Sequence, residues 1–443
     1  MHVAHFVHRY PPALGGCEAY VERLSRYMAD AGDAVTVWTS TAVELEEMWR
    51  ASGAATARER VAFETRSLAV AAPGVGLRRY RPLHFRGRRF LLKALSLVPH
   101  PPMQALTLPC NPVCPGMWRD AGRFAGPLDA VHAFAFPYSF IASCALRLAR
   151  RRGVPFLLTP FLHLGNPTDP ADRTRRQYTS RPLRWLLRQA DRVFVQTPTE
   201  ANAVIGLGIP ANRVVLQGLG VDPLECTGGD REAARRAWGV APGEVVVGHL
   251  ANLSAEKGTV DLLRAAERGE FRLVLAGPNM PSFRRAWESF PARDRVTRLG
   301  RLTDVGKRDF FAGIDVFALP SRTDSFGLVL LEAWANGKPN VCYRAGGPAD
   351  LVRHGEDGLL VRCGDVEGLA KGLLRLAVDE DMRHRLGEAG RERVGHEFRW
   401  VDKLGLVRDS LVGWVESSRP TGRETVGLED STHPTRLQDS LHP

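Results

Sequence analysis

Two stretches of this chain, one at its start and one near residue 245, repeat the same local pattern. Each is a short apolar run, a polar or glycine-bearing turn, an amphipathic segment with helical spacing and a second apolar run. In the first, the apolar run is residues 2–7. The turn carries Pro11, Pro12, Gly15 and Gly16, and the helix is expected over 18–31 with Gly32 as its stop. A strand follows over 33–39. In the second, residues 245–249 lead into a turn over 251–258, a helix to about residue 266 and a strand over 271–277. Further strands are expected over 130–134, 156–159 and 192–196, and then over 296–299, 316–319, 340–343 and 358–361. Strand–helix alternation of this kind restricts the chain to doubly wound parallel sheets. Pro223, Gly228, Gly229 and Pro242 break the pattern over residues 217–243, so the α/β chain reads as two such domains. Ligands of open parallel sheets bind beyond the carboxyl ends of the strands, which puts the site of two facing sheets in the cleft between them.

Composition sets looser bounds. The length of 443 residues accommodates two or three domains, and 44% hydrophobic with 25% charged residues is the profile of a soluble globular protein. A formal net charge of +11 suits nucleic acid, anionic lipid or a phosphate-rich substrate without choosing among them. The seven cysteines are scattered. Only Cys110 and Cys114 are close, and no Cys/His pair follows at zinc-finger spacing, so no metal site is expected. The odd count fits a reducing cytoplasm. The first ten residues lack the apolar core of a signal peptide, and no window of about 18 residues is uniformly apolar. A cytoplasmic protein is expected.

Residues 70–115 are less regular. Arg78, Arg79, Arg81, Arg86, Arg88, Arg89 and Lys93 interleave there with Tyr80, Phe85, Phe90, Leu91 and Leu92. One reading is an amphipathic element on the inner face of an anionic membrane. The preferred reading is a solvated loop and helix that packs its apolar residues inward.

The chemistry concentrates in residues 319–339, which read as a buried strand, a tight turn and a helix start. Asp324 stands just before the helix and Glu332 inside it. Eight residues at helical rise separate the two by about 12 Å, the reach from a hexose to a ribose across a diphosphate. The backbone N–H groups around residues 325–328 would sit at a helix N-terminus, where phosphate binds well. Glu332 lies among Leu328, Val329, Leu330, Leu331, Ala333 and Trp334, so its carboxylate needs either a ligand or a buried ion-pair partner. Lys257, followed by Gly258, opens the first helix of the second half and can carry positive charge to a leaving diphosphate. Gly15 and Gly16 let backbone approach a diphosphate closely.

Together these residues resemble the donor-site signature of retaining glycosyltransferases of the GT-B fold, family 4 (glycosyl transferases group 1). That family usually has two glutamates separated by seven residues; here the pair is Asp324 and Glu332. It usually has an arginine five residues before the lysine, where this chain has Asn252. The resemblance implies two Rossmann-like domains facing a cleft. Residues 1–218 would bind acceptor, with a helix at about 398–416 packing back on them. Residues 219–397 would bind nucleotide sugar, and residues 417–443 would be a disordered tail. It implies catalytic roles for Lys257, Asp324 and Glu332. Donor contacts would come from Gly15, Gly16, Asn252, Arg301, Leu302, Ser325, Phe326, Gly327 and Leu328, with the Glu332 carboxylate on the ribose. His132 and His163 would lie on the acceptor or sugar side. No metal or other cofactor is implied. The expected reaction moves a hexose, with retention, from an NDP-sugar to a hydroxyl of a glycan, lipid-linked or small-molecule acceptor, and no nucleic acid is expected as partner. The alternatives are a GT-B nucleotide-sugar epimerase and a degenerate nucleotide-sugar-binding regulator, the latter motivated by Asn252 and Asp324.

Overall fold

The structure, a computed structural model, describes residues 1–50, 74–167, 169, 171–269 and 271–418. Seven parallel strands form the first sheet: β1 (His2–Phe6), β2 (Ala34–Ser40), β3 (Val75–Tyr80), β4 (Ala130–Phe134), β5 (Phe156–Thr159), β6 (Arg192–Val195) and β7 (Val214–Leu216), in the order β3-β2-β1-β4-β5-β6-β7. Six more form the second: β8 (Val246–Leu250), β9 (Arg272–Ala276), β10 (Val296–Gly300), β11 (Val316–Leu319), β12 (Asn340–Tyr343) and β13 (Gly358–Val361), in the order β10-β9-β8-β11-β12-β13. The central strands β4, β11 and β12 are buried at every position, as expected where helices cover both faces of a parallel sheet. Strand order reverses between β1 and β4 in one sheet and between β8 and β11 in the other. The loops beyond those ends are therefore the natural ligand-binding positions.

Strands β4, β5, β11, β12 and β13 have the expected bounds, and most of the others shift by a residue. β3 and β7 were not anticipated. Both are edge strands, and β7 has three residues with Leu216 half exposed. β3 carries Arg78 and Arg79 inside the stretch read as irregular and becomes a strand only by pairing with β2. Beyond it lie helices Arg88–Leu95, Pro101–Thr107 and Pro115–Ala121. The preferred reading of that stretch needs correction. Tyr80 and Leu92 do pack inward, but Phe90 is 81% and Leu91 49% exposed. The short helix Arg88–Leu95 has room on its inner face for Leu92 and the stem of Arg88, whose guanidinium donates to the Asn111 carbonyl.

The chain crosses between domains twice. Val221 N–H donates to the Phe398 carbonyl at 2.8 Å beside the first crossing. Helix Trp400–Ser418 then lies against the first domain, where Arg408 pairs with Asp33 at 2.7 Å and Gln217 Nε2 donates to the Lys403 carbonyl. This helix takes in residues 417 and 418, which the sequence places in the tail; the rest of that tail lies outside the described residues.

Candidate active site in the interdomain cleft

The loop between β11 and helix Leu328–Ala335 is held in place by glycines on two neighbouring segments. Gly258 has φ +74°, and a Cβ there would come within 1.9 Å of the Pro320 carbonyl oxygen. Gly347 N–H donates to the Asp324 carbonyl at 2.8 Å, and a Cβ on Gly346 would lie 2.3 Å from that same oxygen. Side chains at these positions would displace the loop. Gly327, at φ +97°, turns the chain into the helix. The helix begins only at Leu328, so the spacing of about 12 Å obtained by treating all eight residues as helical does not apply.

Each carboxylate of the signature is met by a lysine. Lys257 Nζ lies 2.7 Å from Asp324 Oδ2. Burial would raise the Asp324 carboxyl, but the Lys257 ammonium, helped by the Phe326 N–H, holds the group below the usual range. Lys307 Nζ, on helix Asp304–Gly313, lies 2.5 Å from Glu332 Oε1. The ion pair foreseen as one option for Glu332 is therefore formed, yet Glu332 Oε2 is buried and has no hydrogen-bond partner. Burial raises the Glu332 carboxyl even against the Lys307 charge. A buried acceptor without a donor costs free energy until a donor arrives, and a sugar hydroxyl is such a donor.

The first domain closes the other side. Gly16 begins helix Gly16–Asp30, and a Cβ on it would lie 3.9 Å from Leu328 Cδ1, so the glycine loop faces the start of the second-domain helix across the cleft. Gly15 abuts Glu18, whose carboxylate is buried and paired with Arg9 at 2.6 Å and His8 at 3.3 Å. His163, beyond β5, shares a 2.5 Å hydrogen bond from Nδ1 with the Thr323 carbonyl oxygen of the second domain, and Tyr178 stands beside it. Burial, then the Lys257 charge, lowers the His163 pKa, so the neutral ring is favoured.

Other expected residues are placed differently. His132 is fully buried, with Nε2 against Thr159 Oγ1 at 2.8 Å and its ring among Phe134 and Phe194. It lies mid-strand within β4 and has no face on the cleft. His249, at the end of β8 near the loop where the family has its arginine, is likewise committed, to the Ala318 carbonyl and Thr259 Oγ1, and burial lowers its pKa to about 4. Arg301 reaches across the cleft to Glu44 of the first domain through two bonds of 3.1 and 3.0 Å, while Leu302 beside it is partly buried. Ser325 and Leu328 are partly buried; Phe326 and Gly327 are buried. Asn252 is exposed on the loop after β8. Lys307 was missed because only the fold brings it beside a residue so distant in sequence. Glu18 had a local signal, an acid in the first turn after a glycine pair.

The comparisons with known proteins bear on this arrangement. Residues 15–220 match the family model described as "Glycosyl transferase 4-like domain", and residues 230–393 match "Glycosyl transferases group 1". The chain belongs to the group 1 glycosyltransferases of the GT-B fold. The chain is 31% identical over 176 residues to the N-acetyl-alpha-D-glucosaminyl L-malate synthase of Bacillus anthracis, covering 38% of the chain and 46% of that protein. The alignment thus spans about half the length of that relative, and likewise 48% of a D-inositol 3-phosphate glycosyltransferase from Nocardia farcinica. A longer alignment, 29% identical over 408 residues, joins 87% of the chain to 88% of the D-inositol 3-phosphate glycosyltransferase of Kribbella flavida. Among solved structures, sucrose-phosphate synthase from Thermosynechococcus elongatus superposes with a TM-score of 0.73 at 22% identity, covering 94% of this chain and all of that one. Anabaena HepE in complex with UDP-glucose gives 0.70 at 19%, covering 93% of this chain and all of that one. At these identities the structural likeness shows the fold.

Restoring the family residue in this chain gives a direct probe of the exposed loop. Asn252→Arg is expected to tighten binding of a nucleoside diphosphate by adding a bidentate contact to phosphate. Calorimetry checks it; unchanged or weaker binding would mean that the loop is not poised on the diphosphate.

Proposed function

We propose that the protein transfers a hexose, with retention, from an NDP-sugar to a hydroxyl acceptor. The observation that carries this reading is the pair of lysine–carboxylate contacts, Lys257 with Asp324 and Lys307 with Glu332, on either side of a helix start that faces the Gly15–Gly16 loop. In the reading, the unpartnered Glu332 Oε2 accepts from ribose hydroxyls. The N–H groups at the helix start and the Gly16 amide hold the diphosphate, and Asp324 accepts from hydroxyls of the transferred sugar. The bond from the anomeric carbon to the diphosphate oxygen breaks as the bond to the acceptor oxygen forms on the same face. The acceptor proton passes to the departing phosphate oxygen, and Lys257 stabilises the negative charge that gathers there. Anabaena HepE in complex with UDP-glucose, which shares this fold, supports a nucleotide-sugar donor by analogy. The acceptor is a glycan, lipid-linked or small-molecule hydroxyl.

A thermal-shift panel of nucleotide sugars tests the reading, because a ligand that binds only the folded state raises its apparent stability. One nucleotide sugar should stabilise the protein and be consumed when acceptor is added. No observation favours the epimerase. The regulator reading rests on Asn252 and on the Asp324 substitution, and stabilisation by a nucleotide sugar with no turnover on a broad acceptor panel would select it. Turnover is also expected to survive EDTA, since Lys257 stands where positive charge is needed. Loss of activity in chelator, restored by manganese or magnesium, would overturn that expectation. Among the described residues no helix is long and apolar enough to cross a membrane. The reading places the protein in the cytoplasm.

A further inference from the structure

Seven large apolar side chains stand exposed within one short stretch of the first domain: Leu83, Phe85, Phe90, Leu91, Leu97, Val98 and Met103, with Phe90 at 81% and Leu97 at 76%. No Asp or Glu occurs anywhere from residue 65 to residue 119. Helix Pro101–Thr107 in this stretch packs on helix Arg181–Gln189. That second helix buries Pro182, Leu183, Leu186 and Leu187 and turns Arg181, Arg184 and Arg188 outward. It lies in a segment, residues 173–190, that also lacks any acid. Between the two helices is a groove of about 460 Å³ lined by Pro101, Arg181, Arg184, Trp185 and Arg188. The side chains of Arg86, Arg89, Lys93, Arg181 and Arg184 are exposed and make no hydrogen bond or ion pair among the described residues.

We propose that this face, helix Arg88–Leu95 with its following loop and the outer side of helix Arg181–Gln189, docks the protein on an anionic lipid bilayer. Aliphatic and aromatic tips flanked by cations match the interface of such a bilayer, where the rings and methyl groups enter the acyl boundary and the guanidinium groups meet phosphate. Charge alone would also suit a nucleic acid. Exposed Leu97, Val98 and Leu91 argue against that partner, because aliphatic side chains gain nothing at a phosphate backbone and lose their hydration cost only in an apolar phase. The groove sets Arg181, Arg184 and Arg188 around a space that a headgroup phosphate can enter. Helix Arg173–Tyr178 connects this face to the cleft, ending at Tyr178 beside His163. Taken with the glycosyltransferase reading, the docked orientation presents the cleft to an acceptor anchored in the membrane; the docking itself stands without it.

Co-sedimentation with vesicles of phosphatidylcholine, alone and mixed with phosphatidylglycerol, tests the proposal on the full chain. Binding should require the anionic lipid and weaken with salt. The pair Arg181→Glu and Arg184→Glu should lower the partition by at least about tenfold, from the contribution of each basic residue near the surface. The pair Phe90→Ser and Leu97→Ser should abolish the binding that survives high salt. None of these side chains belongs to the proposed donor site, so nucleotide-induced thermal stabilisation should be unchanged in every variant, which also reports that each has folded. Protein left in the supernatant with anionic vesicles at low salt would overturn the proposal. So would charge-reversal loss with no effect of the apolar pair, which is plain adsorption, or a preference for polynucleotide over vesicles. If vesicle binding fails while nucleotide binding persists, the docking falls and the donor site stands.

Discussion

Lys257→Ala is expected to lower kcat at saturating donor by about 10²–10³-fold, the loss typical of removing one preorganised stabiliser of developing charge. The lysine is largely buried against Asp324, so its charge is fixed before the donor arrives and needs no reorganisation when the diphosphate departs. Its removal also leaves the Asp324 carboxylate buried without a counter-charge. The largest opposition to burial is then gone, the carboxyl rises, and part of any loss of stability comes from there. The double variant Lys257→Ala with Asp324→Asn separates the effects: it should regain thermal stability over the single variant without regaining turnover. A single variant with wild-type kcat would remove Lys257 from the reacting centre.

The second large effect is on donor affinity. Glu332→Ala should weaken nucleotide-sugar binding by about 10–150-fold, from the roughly 1.5–3 kcal/mol of a charge-assisted hydrogen bond. The fold should survive, because the helix is held by Leu330, Leu331, Ala333 and Trp334, all fully buried. Unchanged affinity by calorimetry would take Glu332 out of the site. Lys307→Met probes the same carboxylate from its partner. Burial already raises Glu332, Lys307 opposes that shift, and Arg23, Glu225 and Cys226 are the other charged or titratable groups near it. Without the ammonium the folded-state pKa rises further. A carboxyl whose folded pKa is raised contributes stability that is present below its unfolded pKa and lost as pH climbs through the folded value. The thermal midpoint of Lys307→Met should therefore fall, relative to wild type, as pH rises above the ordinary glutamate range. Donor affinity should rise over the same interval as the carboxylate forms. A parallel pH profile in both proteins would show that Lys307 does not govern this group.

Much of this architecture is legible in local pattern. β4, β5, β11, β12 and β13 are short, mainly apolar runs bounded by polar or glycine punctuation, and in a parallel sheet covered on both faces that composition leaves little alternative. The glycine–lysine and carboxylate signatures are legible as local spacing in the sequence, although Gly258 and the 324–332 segment are held by contacts from other segments. Edge strand β3 was invisible because it pairs with a strand, β2, on one side only and its Arg78 and Arg79 disguise it. His132 looked available because a histidine in a strand has the same sequence signature whether it faces a cleft or a core, and His249 carries the same ambiguity. Only packing decided that both are buried and neutral. The lysine on Glu332 and the glutamate on Arg301 come from remote segments, so no spacing announces them. The chain by itself determined the two parallel sheets and the segments that line their carboxyl ends, because strand burial and turn chemistry are properties of neighbouring residues. Tertiary structure alone decided which charges meet across the cleft, which histidines lose access to it and which apolar side chains stay outside, because burial and Coulombic pairing depend on distance in space and not along the chain.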